Sequence, residues 1–176
     1  MTLLARPRNA VAVFGAFALT AVFAFPAAAR TARTPAPDWS RLSFFLGERA
    51  GDGSFAFSLE LEGRVIVLRT RTEVPAADGR PASARESLMV IHKQPGLPEK
   101  AVDFDSDGRF VEYVASLSMD GSTLTFLSGW DFSAPIYRLS YAKAGADTLA
   151  VKFETAPADS PSDFQTAFDG RARRRT

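Results

Sequence analysis

The 176-residue chain carries 21 Lys and Arg against 20 Asp and Glu, a single histidine and no cysteine. The charge balance gives no electrostatic reason to expect nucleic acid as a partner. The residue counts exclude disulfides, thiolate metal sites, a cysteine nucleophile and a histidine-rich zinc site.

Arg6 and Arg8 make a basic start, residues 11–25 form an apolar run, and a Pro-Ala-Ala-Ala stretch at 26–29 supplies small residues before a cleavage point. This is the layout of a secretory signal peptide over residues 1–29. The apolar run is shorter than the roughly 20 residues that a membrane span needs. The expectation is therefore export across the inner membrane, to the periplasm or outside, with no stable span after cleavage. Residues 30–40, with Pro35 and Pro37, read as a flexible leader, and 41–176 as one domain. Within the leader and its junction, residues 39–45 fit a short helical turn that closes one end of that domain.

The stretch LSFFLGERAGDGSFAFSLEL (42–61) organises the remainder of the chain. Its apolar cluster passes through Gly47, Gly51 and Gly53 into alternation at Phe55, Phe57, Leu59 and Leu61, the pattern of a first strand with one apolar face. Turn signals then recur at Glu62-Gly63, Asp78-Gly79, Asp107-Gly108, Asp120-Gly121, the 145–147 region and Asp169-Gly170. Between them, β-branched and aromatic segments predict strands near 53–61, 64–74, 85–93, 100–106, 109–118, 122–130, 135–143, 148–155 and 170–175. A meander with this many strands closes on itself or leaves two exposed edges, and closure is the expectation. One segment departs from the pattern. Ser160 as cap, Pro161 at the first helical position, Phe164 and Phe168 on one face and Gly170 as stop predict a short C-terminal helix. The basic run 171–175 reads as a solvated end.

LSFFLGERAGDGSF resembles the Leu-x-Gly-x-Trp-x-Gly-x-Gly opening of calycin-type barrels. These include lipocalins, fatty-acid-binding proteins, haem-binding nitrobindins and secreted bacterial lipocalin-like domains of unknown function. AVDFDSDGRFVEYV, DGSTLTFLSGW and the tail from YRLSYAKAG to DFQTAFDGRARR extend the resemblance to the last group over about residues 42–174. It implies an all-β, antiparallel up-and-down barrel of about 8–10 strands that holds a small ligand. Arg49 stands where the family has a tryptophan packed across the closed end, and Trp39 is the candidate substitute. Nitrobindin-like proteins ligate haem iron through a histidine near the C-terminus. This chain has only His92, so haem ligation could rest on that residue alone, and no cofactor is expected.

The candidate site residues are charged and aromatic positions within apolar strands. Arg69 and Arg71 share a face with Val65 and Val67, Glu112 with Phe110 and Val114, and Arg138 with Ile136. Calycin-type barrels commonly place arginines inside to meet a ligand carboxylate, because a buried charge must be matched. One of these arginines pointing inward would orient an anionic head group. The alternative is that these faces look outward, or that Arg138 pairs with Glu112 for structural reasons. Tyr113 and Trp130 are candidate wall residues for such a pocket. Asp103, Asp105 and Asp107 mimic the start of a calcium loop, but the twelfth position is Val114 and no helices flank it, so a tight hairpin is the simpler reading. No catalytic or metal residues are assigned. The leading function is non-enzymatic binding of a small apolar or amphipathic molecule, an anionic one included. A ligand-free envelope scaffold, a lipocalin-type enzyme using Glu112 or His92, and a haem binder using His92 are the alternatives.

Overall fold

The computed structural model describes residues 35–74, 76, 81–129 and 133–175. The expected signal peptide, the Asp78-Gly79 turn and Trp130 lie outside the described residues. A 3-10 turn at Ser40–Leu42 leads into ten strands: β1 (Gly47–Gly51), β2 (Gly53–Glu60), β3 (Val65–Val74), β4 (Ser83–His92), β5 (Glu99–Asp105), β6 (Phe110–Leu117), β7 (Thr123–Ser128), β8 (Ile136–Lys143), β9 (Thr148–Ala156) and β10 (Gln165–Arg174). Each strand pairs antiparallel with the next, and β10 returns to β1, closing the barrel. Among the described residues no helix is long and apolar enough to cross a membrane.

Closure differs from the expectation in one respect. The last strand bonds to β1, through Arg49 opposite Arg174 and Gly51 opposite Ala172, and not to the strand that begins at Gly53. β1 has glycine at both ends and two charges inside, so it carries no alternation from which to read a strand. It turns back onto β2 at Asp52, with Gly51 opposite Gly53.

The predicted C-terminal helix is also replaced. Residues 157–164 make successive turns, with Ser160 N–H donating to Pro157 O at 3.1 Å and Asp163 N–H to Ser160 O at 3.0 Å. Strand β10 then begins at Gln165 and runs along β9 from Thr155 to Thr148, with one irregularity between Thr166 and Phe168. A helix of about ten residues is marginal by itself, whereas the ladder satisfies the same backbone groups and closes the sheet. The Asp169-Gly170 turn signal accordingly falls inside a strand, and so do Arg171, Arg173 and Arg174 of the basic run.

The up-and-down order places alternate hairpins at opposite ends of the barrel. One end is shut. Trp39, Leu42 and Phe45, around the 3-10 turn, join Phe57, Phe126, Ile91 and Leu149 in the core. Trp39 Nε1 donates to Gly63 O at 2.9 Å, tying the turn to the β2–β3 connection. Arg41 reaches the Ser118 and Met119 carbonyls of the β6–β7 turn at the same end. Phe45, Phe57 and Tyr141 continue the packing inward by tilted and edge-on contacts, with Phe57 and Tyr141 centroids 5.1 Å apart.

Arg49 is buried in this closed end, fully excluded from solvent. It does not fill space as an indole would. Its guanidinium donates to the carbonyls of Phe44, Phe45 and Leu46 and lies over the Phe44 ring at 5.6 Å. Trp39 fills the apolar part, and Arg49 satisfies backbone oxygens that the turn leaves without partners.

Candidate ligand cavity

Period-two alternation turned inward by the barrel's registers builds rows of side chains across the lumen. Phe57, Leu68, Met89, Asp103 and Val111 form one row, each opposite the next across a ladder. The row nearer the open end runs Phe55, Thr70, Ser87 and Asp105. These rows and their continuation on β8–β10 enclose a cavity of about 490 Å³. Its walls are aromatic (Phe55, Tyr113, Tyr137, Tyr141, Phe153 and Phe168) and aliphatic (Leu68, Met89, Val111, Leu139 and Val151). Tyr137 and Phe153 stack nearly parallel, with centroids 5.8 Å apart.

Two kinds of polar group meet the cavity. At the rim, Arg109 donates to Asp105 and Asp107, and Arg85 lies 3.3 Å from Asp107. The backbone N–H of Arg109 and then its side chain hold the Asp105 carboxyl below its ordinary pKa, and this is the tight hairpin anticipated for the Asp-rich segment. Among the described residues no three acids or histidines come together in a way that could hold a metal ion.

Deeper in lies Asp103. Its Oδ1 is buried and has no hydrogen-bond partner. Ser87, beside it on the lumen wall, sits 2.8 Å from the Thr70 hydroxyl. Burial pushes the Asp103 pKa up, with Ser87 opposing and the Asp105 charge adding to the rise. Burial first, and then the Asp103 charge, likewise raise the pKa values of Tyr113 and Tyr141, so both phenols stay protonated.

Of the six residues singled out in the sequence, Tyr113 lines this cavity. Trp130 lies outside the described residues. The other four point away from the lumen. In β3 the inward positions are Ile66, Leu68 and Thr70, so Arg69 and Arg71 project outward, Arg69 to Glu60 at 3.5 Å and Arg71 to Glu73 and Glu86 at 3.0 and 2.6 Å. Glu112, opposite Val102, is exposed on the outer face. Arg138 also faces outward, and its partner is Glu154, Nε to Oε2 at 2.7 Å, in place of the anticipated Glu112. The Arg138 guanidinium lies 3.8 Å from the centre of the Phe164 ring. His92 belongs to the same outer set, between Val65 and Lys100.

Asp103, Ser87 and Thr70 were not identified from the sequence as cavity residues. Ala101, Asp103 and Asp105 alternate on one face of β5, a usable signal. The DFDSDG string hid it by reading as a turn or a metal loop.

Fold and cavity together define the class: an all-β protein built as a closed ten-stranded antiparallel barrel, with one end plugged and a lumen at the other. No family model matches the chain, and no curated protein matches it.

Proposed function

We propose that this chain is an exported, periplasmic or extracellular lipocalin-like barrel that binds a small apolar or amphipathic molecule without transforming it. The observation that carries this reading is the cavity of about 490 Å³. Its volume and largely apolar wall, with few polar groups, are those of small-molecule sites. Burial of apolar ligand surface there would supply most of the affinity. A purely structural barrel has no use for such a void, since filling it would gain packing contacts. Glu112 and His92, the acid/base candidates of an enzymatic reading, sit on the opposite face of the sheet from the cavity.

The test is titration of the purified protein with the neutral fluorophore N-phenyl-1-naphthylamine, together with mass spectrometry of its solvent extract. Saturable one-site binding, lost in Val151→Trp, is expected, because Val151 faces the lumen between Tyr141 and Gly170. Absence of saturable binding in the wild type, in protein shown to be free of co-purified lipid, would reject the reading.

A further inference from the structure

We propose that Asp103 is the polar recognition element of this cavity, and that the ligand class it selects is an apolar body carrying a protonated amine. The inference rests on the cavity being a ligand site, and it goes further by fixing the sign of the ligand's polar end.

Asp103 Oδ1 is an acceptor removed from water and left without a donor. A carboxylate with an oxygen in that condition is costly, and a ligand that donates to it recovers what burial forfeits. Among the described residues, no cation of the protein is placed to do so. The arginines that line the cavity are Arg85, Arg109 and Arg171. Arg85 and Arg109 lie at the rim and are engaged by Asp107 and Asp105. Arg171, exposed, lies within β10 between the inward-facing Gly170 and Ala172, so its side chain projects outward, and its backbone N–H donates to the Asp52 carboxylate. Arg69, Arg71 and Arg138, the residues that would have welcomed a carboxylate, are all on the outer face.

The aromatic lining favours the same ligand. Tyr113, Tyr141 and Phe55 line the cavity, and aromatic ring faces attract a cation. Both tyrosines are already edge-packed against Phe126, which holds their rings in place. A fatty-acid carboxylate inserted to the same depth would meet Asp103 as a like charge. An alcohol could donate one hydrogen bond but would leave the charge unmatched.

The experiment compares three probes with the same tail: decylammonium, decanol and decanoate. Each is used below its micellar concentration at neutral pH, competing with N-phenyl-1-naphthylamine on wild type and on Asp103→Asn. Decylammonium should bind the wild type at least tenfold more tightly than either of the others. Asp103→Asn should remove that preference while decanol affinity changes less than twofold. Decanoate binding as tightly as decylammonium, or an amine preference intact in Asp103→Asn, would overturn the assignment. If Asp103→Asn fails to fold, the wild-type ranking decides alone. Three probes binding alike would leave the cavity reading standing and remove only the cation; no displacement by any probe and no saturable fluorophore binding would remove both.

Discussion

Arg49 and Arg174 face one another across the β1–β10 ladder, and both guanidiniums serve the same turn. Arg49, buried, donates to the Phe44, Phe45 and Leu46 carbonyls, while Arg174, on the same face but exposed, donates to Leu46 and Phe44 at 3.0 and 3.1 Å. Two like charges are thus held at the seam where the barrel closes. Burial, and then the neighbouring Arg174 charge, lower the Arg49 pKa from its ordinary value.

The two residues should respond unequally to removal. Arg49→Ala leaves a buried carbonyl and a cavity, which together should cost about 3 kcal/mol. Arg174→Ala removes an exposed partner and also relieves repulsion, so about 1 kcal/mol or less is expected. Arg49→Met, which keeps volume but donates nothing, should fall between them. Urea unfolding of the three variants checks the order, and equal losses for Arg49→Ala and Arg174→Ala would contradict the carbonyl-capping role.

The seam makes a second, steric prediction at Gly51. A Cβ there would overlap the Arg171 carbonyl oxygen, a backbone atom that cannot swing aside. Gly51→Ala should therefore push β1 off β10 and destabilise the fold by roughly 3 kcal/mol or more. Gly145→Ala is the control. The nearest atom to its Cβ would be a Thr148 side-chain atom at 3.8 Å, and its effect should be within about 0.5 kcal/mol. Hydrogen exchange of the β1 and β10 amides should rise in the first variant only.

The barrel was legible because most strands end in Gly/Asp turns and carry one clearly apolar face, as at Phe55 and Phe57. Its closing strand was not, since Gly-Glu-Arg-Ala-Gly offers neither alternation nor β-branched residues. The faces of β3 were unreadable for a related reason. Residues 65–68 are Val-Ile-Val-Leu, apolar on both faces, so alternation could not say whether Arg69 and Arg71 look in or out, and a one-residue slip reverses the answer. Helix signals at 160–170 lost to long-range pairing with β9, which no local pattern reports.

Because those arginines are outside, their removal should leave the cavity untouched. Arg69→Ala and Arg71→Ala break ion pairs between side chains that are all well exposed, so the urea midpoint should barely move. Fluorophore affinity should match the wild type within error, as it should for Arg138→Ala. A drop in affinity for any of these variants that retains wild-type stability would show that the outer face communicates with the lumen.

Glu154 provides an acid-side signature. Hydrogen bonds from Arg138 and Lys152 hold its pKa down at about 2, against an ordinary 4.5. A depressed carboxyl pKa contributes stability above the unfolded value and loses it as pH falls through the folded one. The contribution should thus be complete at pH 6 and fade between about pH 4.5 and 2. Arg138 and Lys152 are partly solvated, so screening should limit it to about 1 kcal/mol. Glu154→Gln should be less stable than wild type by that amount near neutrality and indistinguishable from it at pH 2. A constant difference across the range would mean that packing, and not the charge, holds the residue.

Asp103 should behave in the opposite sense. Burial raises its pKa above the ordinary 3.8, with Ser87 opposing and Asp105 reinforcing. A raised carboxyl pKa means that the native state binds the proton more tightly than the unfolded chain does. Stability is then lost as pH rises from about 3.8 through the folded pKa, and the loss persists at neutral pH. In the ligand-free protein, Asp103→Asn removes the charge that causes this. The variant should therefore be more stable than wild type at pH 7, and its advantage should shrink as pH falls towards 3. Urea midpoints at pH 3, 5 and 7 measure it. A wild type that is more stable than Asp103→Asn at pH 7 would mean that the carboxylate already has a partner in the folded protein, which is the opposite of an acid kept open for a ligand.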